Sequence, residues 1–168
     1  MSKLILMVGT TASGKSTYAK THMAEDDVLV SRDEIRRVLY NGEDNFHKNE
    51  NIVTPVFIYK IVKGLKEGKT VWFEAVNDTP CFREKVLNEI EKFVIADELE
   101  TIHMDTSLDI ALERNAARTD PTRMPDEIVG GIYNNLVPPT VEEFSQRGYQ
   151  RITLTTVTTE RVPQPIEE

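Results

Sequence analysis

Nine consecutive residues, Gly9–Thr17 (GTTASGKST), set Gly9 and Gly14 five positions apart and follow the second glycine with a cation, Lys15, and a hydroxyl, Ser16. Each residue type has a use at that spacing. Glycines let the backbone curl until several N–H groups converge on one anion. Thr10, Thr11, Ala12 and Ser13 would contribute N–H groups to that curl, and a helix starting near Lys15 would add its positive end. Lys15 would reach the β- and γ-phosphates of a nucleoside triphosphate as a point charge. Ser16 would offer its hydroxyl to Mg²⁺, which takes oxygen ligands and keeps several waters, and Thr17 would touch the α-phosphate. A chance glycine-rich turn has the same letters but other surroundings. Here an apolar run precedes the pattern and a helical segment follows it.

Three further clusters place charge where it could act. In Val30–Arg37 (VSRDEIRR), Asp33 is a carboxylate that could accept a hydroxyl proton during phosphoryl transfer. Arg32, Arg36 and Arg37 could hold an anionic acceptor, and Arg32 and Arg36 are four apart and so share a helix face. The same residues also suit a plain capped helix start, with Asp33 favouring the dipole. In Glu113–Arg123 (ERNAARTDPTR), Arg114 and Arg118 stand at the end of a helix before a loop. They could close over a triphosphate, or simply be cations at a solvated helix C-terminus. In Phe73–Asp78 (FEAVND), Glu74 could hold a magnesium-bound water and Asn77 could hydrogen-bond an acceptor, although a strand-ending turn has a similar composition.

These clusters need elements to carry them. Lys3–Gly9 (KLILMVG) is a continuous apolar run, as in a buried parallel strand. Residues 14–24 are expected to be helical, Asp27–Val30 to form a second strand, and Ser31 with Glu34 to make a capping box opening a helix to about Tyr40. Asn41-Gly42 should stop that helix. Residues 48–67 should be helical with a distortion at Pro55, and Gly68 should end them. Thr70–Ala75 is β-branched and aromatic, the third strand. A helix should start at Thr79-Pro80 and run to about Ala96, burying Phe82, Val86, Leu87, Ile90 and Phe93. Leu99–Met104 should be a fourth strand. Residues 107–117 and Asp126–Leu136 should be helices around a Thr119–Pro125 loop, and Tyr149–Val157 the last strand. The end of the chain, residues 160–168, is expected to be disordered. Strands alternating with helices imply an α/β fold, a mainly parallel sheet of about five strands covered on both faces.

Composition narrows the class. With 39% hydrophobic and 29% charged residues, 168 residues fit one soluble domain, 1–168. No apolar run reaches the roughly 18 residues that span a bilayer, so no membrane partner is expected. The first residues, MSKLILMVG, enter a strand too soon for a signal peptide. Cys81 is the one cysteine and has no internal partner, which agrees with a reducing, cytoplasmic location. A net charge of −8 argues against a long footprint on a nucleic-acid duplex. Yet residues 114–123 hold three arginines against one acid, while residues 125–168 hold seven acids against three arginines. A small basic locus in an acidic shell suits one or two phosphates.

GTTASGKST, SRDEIR, EAVN, RNAAR and VPPTVEEF together resemble, in order and spacing, the kinase domain of the polynucleotide 5′-hydroxyl kinases, over roughly residues 3–145. The resemblance implies a P-loop NTPase fold with an arginine-bearing lid at about residues 114–125. It implies ATP and Mg²⁺ as cofactors and a nucleic-acid 5′ end, single-stranded, as the acceptor. ATP would lie on Gly9–Thr17, Arg114 and Arg118, and the acceptor on Arg32, Asp33, Arg36, Glu74 and Asn77. Asp33 would be the general base, with Arg36 on the acceptor's phosphate beside the 5′-terminal nucleoside. Lys15 and Arg118 would stabilise the transferring γ-phosphoryl group, and Arg114 matches the first lid arginine. Two positions depart from the family: Glu74 stands where it usually has Asp, and Val76 where it usually has Thr. One domain leaves no room for a fused phosphatase or ligase, so no 3′-phosphatase activity is expected. Two rivals remain: a P-loop kinase of a nucleoside, sugar nucleotide, modified DNA base or small metabolite, and a non-kinase ATPase or switch.

Overall fold

The computed structural model describes residues 1–40 and 46–159. The expected stop at Asn41-Gly42 and the tail 160–168 lie outside the described residues. The strands are β1 (Lys3–Val8), β2 (Val28–Ser31), β3 (Thr70–Glu74), β4 (Glu98–Thr106) and β5 (Arg151–Thr159). They form one sheet in the order β2-β3-β1-β4-β5, and every pairing in it is parallel. Parallel neighbours need crossovers, which the helices supply. These are α1 (Lys15–His22), α2 (Arg32–Tyr40), α3 (Glu50–Lys66), α4 (Pro80–Glu91), α5 (Leu108–Ala116), α6 (Asp126–Asn135) and α7 (Val141–Phe144).

The central strand explains the layering. In β1, alternate residues go to opposite faces. Leu4 and Leu6 join a core with Phe57, Ile61, Leu65, Leu87, Ile90 and Phe144, so α3, α4 and α7 cover that face. Ile5 and Met7 join Ala19, Trp72, Ile102 and Met104, so α1 lies on the other. No helix among the described residues is long and apolar enough to cross a membrane.

Local chemistry sets most boundaries near their expected places. α3 runs continuously through Pro55 to Lys66 and is stopped just beyond by Gly68, φ +74°. There the Gly68 N–H donates to Leu65 O at 3.0 Å and the Lys69 N–H to Gly64 O at 3.1 Å. Those two bonds are a Schellman stop, and the positive φ suits glycine. The expected capping box forms by half. Ser31 Oγ accepts from the Glu34 N–H at 3.3 Å, but the Glu34 carboxylate turns to Lys20, 3.6 Å away.

One expectation fails. α4 stops at Glu91 instead of about Ala96, and Phe93 is 60% exposed. The chain must turn there to feed β4, and Val94 and Ala96 take the core contacts that Phe93 was expected to make. α7, which no expectation from the sequence covers, is a single turn after Pro138-Pro139 that seats the buried Phe144.

Candidate active site

The loop after β1 owes its shape to three positions. A Cβ on Gly9 would lie 2.5 Å from Ser13 Oγ and 3.1 Å from Met104 Cβ, so only glycine fits there. Gly14 has φ +97° and Ala12 φ +61°, which turn the backbone before α1 begins. β4 braces the loop through Thr106 Oγ1, which donates to Ser13 O at 2.9 Å. Lys15 curls over the loop, its Nζ donating to Gly9 O and Thr10 O at 2.8 Å each. Burial pushes the ammonium down to about 8, against the pull of Glu74 and Asp33, with Arg118 lowering it further. Thr10 and Ser13 are buried, while Ser16 and Thr17 face solvent.

Two cavities open from this loop, beyond the carboxyl ends of the strands, where open parallel sheets bind ligands. The first, of about 570 Å³, runs along Ala12–Tyr18 and is flanked by Arg114, Met104 and Thr159. The second, of about 290 Å³, is lined by Arg32, Asp33, Arg36, Asn77, Phe82 and Met124, among others. They share Ala12, Lys15, Ser16, Glu74 and Arg118. Asp33 lies only on the second and Arg114 only on the first. The structure thus brings the loop together with Arg32, Asp33, Arg36, Glu74, Asn77, Arg114 and Arg118 around one seam, while Arg37 lines neither cavity.

The second cavity is electrically more balanced than a row of arginines suggests. Arg36 donates from Nη1 to Asp33 Oδ1 at 2.6 Å and from Nε to Glu50 Oε1 at 2.7 Å. Arg32 pairs with the other Glu50 oxygen, and its guanidinium carbon sits 5.1 Å from the Phe57 ring centre and 5.5 Å from that of Phe82. Burial alone would raise the Glu50 carboxyl, but the bond from Arg36 and the charges of Arg32 and Arg36 hold it below the usual range. Arg37 faces Asp120 at 3.4 Å. Glu50, the carboxylate that holds both arginines, is not singled out by the sequence. It sits 14 positions beyond Arg36, in another helix, and no local spacing marks it.

Glu74 ends β3, buried, and accepts from Ser31 Oγ at 2.8 Å. Asn77 follows at φ +49°, its Nδ2 donating to Met7 O at 2.8 Å. Arg118 donates to Thr122 O at 3.1 Å, and buried Asn115 staples the segment by two bonds to Met124, at 2.7 and 3.0 Å. Arg118 is therefore presented on a tied loop that overhangs the seam, and Asn115, missed in the sequence reading, ties it.

A phosphate-binding loop between the first strand and helix of a parallel sheet ordered β2-β3-β1-β4-β5 defines a P-loop kinase fold. The chain belongs to the AAA domain family, whose model matches residues 4–139. It is 28% identical over 150 residues to a candidate bifunctional polynucleotide kinase/RNA ligase of Autographa californica nuclear polyhedrosis virus, covering 80% of this chain and 21% of that protein. A chain of the Pnkp1/Rnl/Hen1 RNA repair complex superposes with a TM-score of 0.65 at 21% identity, covering 80% of this chain and 43% of that one. A sugar kinase from Janibacter sp. HTCC2649 superposes with a TM-score of 0.61 at 14% identity, covering 94% and 86%. At such identities the two structures speak for a shared fold alone. The chain spans about a fifth of its viral relative's length and under half of the repair-complex chain.

Proposed function

We propose that this chain transfers the γ-phosphoryl group of ATP to a hydroxyl, the 5′-OH end of DNA or RNA being the acceptor that its features support best. One observation carries the reading. A groove along the phosphate loop and a cavity holding Asp33 meet at Lys15, Ser16, Glu74 and Arg118. A switch or simple ATPase needs only the groove. A transferase needs a second compartment with a proton acceptor in it, opening on the same phosphate.

In this reading the loop N–H groups and Lys15 hold the triphosphate, with Arg114 on its outer side. Lys15 leaves the carbonyls of Gly9 and Thr10 for phosphate oxygens. Ser16, with Glu74 through a water, would hold Mg²⁺, which supplies charge neutralisation on the phosphates. Few protein ligands suffice for that ion, and no cluster of three or more His, Cys, Asp or Glu forms among the described residues. Asp33 orients the acceptor hydroxyl and takes its proton on Oδ2, while Oδ1 stays with Arg36. Lys15 and Arg118 balance the charge of the transferring group. Residues 114–125 act as the lid, and residues 1–168 as one kinase domain. Exposed Cys81, a free thiol, fits a reducing cytoplasm.

The viral relative's name supports a polynucleotide acceptor, as does Arg36, which is of use to an acceptor carrying a phosphate beside its reacting hydroxyl. A second reading draws on the acceptor wall itself. Asp33 and Glu50 already neutralise Arg36, which favours an uncharged acceptor such as a sugar or nucleoside. Incubation with γ-labelled ATP and a panel of 5′-OH DNA, 5′-OH RNA, nucleosides and sugars separates the two. Label on the oligonucleotides alone supports the first reading, and equal label on free nucleosides overturns it in favour of the second.

A further inference from the structure

The largest fully buried side chain among the described residues is a cation, Arg83, in the first turn of α4. Its fork grips one carboxylate: Nε donates to Glu143 Oε1 at 2.7 Å and Nη2 to Glu143 Oε2 at 2.9 Å. A buried ion pair is a weak source of stability, because apolar residues of the same size often do as well. Its third bond suggests another use. Nη1 donates to the backbone carbonyl of Asn77 at 2.8 Å.

Asn77 sits in the left-handed region, φ +49°, which asparagine tolerates better than most residues. The turn around it is pinned at three successive carbonyls by three different parts of the chain. Val76 O accepts from the Gly9 N–H of the phosphate loop at 3.1 Å, Asn77 O from Arg83, and Asp78 O from the Val137 N–H at 2.8 Å. The Asn77 side chain is 1% exposed, and its Nδ2 is taken by Met7 O. Its Oδ1 is buried with no partner. A buried amide oxygen left without a donor is unfavourable and rare. This one belongs to a residue on the wall of the Asp33 cavity.

Asn77 is already an expected acceptor contact; we propose that Arg83, locked by Glu143, is the positioning residue that holds it, keeping the unpartnered Oδ1 available to an O–H or N–H of the phosphoryl acceptor. The proposal rests on the kinase reading above and deepens it. α7 thereby takes part in acceptor recognition although only its Phe144 is in the core. Arg83 bonds none of the phosphate-loop residues, so the effect falls on acceptor binding and not on ATP.

The test uses the full chain and whichever acceptor of the panel the wild type phosphorylates. Asn77→Gly keeps the backbone conformation and removes Oδ1. Glu143→Gln loosens the fork while keeping its shape. Arg83→Met combined with Glu143→Leu replaces the pair by apolar groups. Each is expected to raise the acceptor KM, by about tenfold for Asn77→Gly and the double variant and about threefold for Glu143→Gln, with the KM for ATP within about twofold of wild type. A merely structural pair would instead lower the melting temperature and move both KM values together. Should the double variant not fold, Asn77→Gly and Glu143→Gln decide the two halves. Unchanged acceptor KM in these variants, with wild-type transfer intact, overturns this proposal alone. No transfer by the wild type to any acceptor overturns the kinase reading and this with it.

Discussion

The groove along the phosphate loop takes its shape mainly from one stretch, Gly9–Thr17, whereas the Asp33 cavity assembles Arg32, Asp33 and Arg36 from α2, backed by Glu50 from α3, with Asn77 from the turn after β3 and Phe82 from α4. The groove is built on a backbone turn set by glycine geometry and braced by Thr106. The cavity presents side chains whose charges are spent on each other before any ligand arrives. Backbone recognition suits a donor whose triphosphate is always the same. Side-chain recognition can be retuned residue by residue, which lets one fold serve unlike ligands.

Arg118 sits on the seam, so its loss should be the largest and should not distinguish the two sides. Arg118→Ala is expected to lower kcat by about 10³-fold with every acceptor alike, as for other arginines that neutralise a transferring phosphoryl group. Steady-state rates on two unlike acceptors measure this. A loss confined to one acceptor would move Arg118 to the acceptor side. Asp33→Asn should split the halves cleanly. We expect kcat to fall about 10²- to 10³-fold while ATP affinity stays within about twofold, read by titration with a fluorescent ATP analogue. Near wild-type transfer in that variant would remove Asp33 as the base.

The same contrast decides what could be read from the sequence. Gly9, Gly14 and Lys15 announce themselves because a contiguous loop writes its geometry in consecutive letters. β1 and β3 do so because strands buried on both faces read as apolar runs. The partnership of Arg36 with Glu50, or of Arg83 with Glu143 sixty positions away, leaves no such trace. Arg83 is the sharper case. In the sequence it is one charge on an amphipathic helix, and a charge there reads as solvated. Only the turn of α7, itself unmarked by any periodicity, supplies the carboxylate that lets it be buried. Phe93 errs the other way, continuing an apolar helical stripe that the chain abandons in order to enter β4.

Lys15 offers a titration of the donor side alone. Its folded value, about 8, lies below the 10.5 of the free side chain. Between these the unfolded state binds more protons, so the Lys15 contribution to stability rises as pH climbs from about 8 to 10.5. Below pH 8 the buried ammonium costs about 3 kcal/mol. Wild type should therefore gain on Lys15→Met across that window in parallel denaturation curves, as its lysine is relieved of that cost. ATP binding responds with the opposite sign. Phosphates favour the ammonium, so affinity should fall about tenfold per pH unit above 8, with proton uptake on binding visible by calorimetry in buffers of different ionisation heat. Affinity that stays flat from pH 7 to 9 would mean that Lys15 is charged throughout.

Glu50→Gln tests the acceptor side by the smallest change, since it leaves every shape and removes one charge. Arg36 then keeps its ion pair with Asp33, and Arg32 loses its ion pair. Glu50 is partly exposed, so water screens the loss, and we expect stability to drop by about 1 kcal/mol. The wall also becomes more positive by one charge beside the point where a phosphate-bearing acceptor would approach. The KM for a 5′-OH oligonucleotide should fall about threefold at low salt, and the gain should fade at high salt, where such charges are screened. The KM for a free nucleoside should not move. The comparison between acceptors is the informative part. If both KM values shift together, Arg36 is only holding Asp33 in place, and the acceptor's phosphate is held elsewhere or is absent. If the oligonucleotide alone responds, Arg36 meets a phosphate. The balance of Asp33 and Glu50 around it then sets how strongly the cavity prefers a charged acceptor to a neutral one.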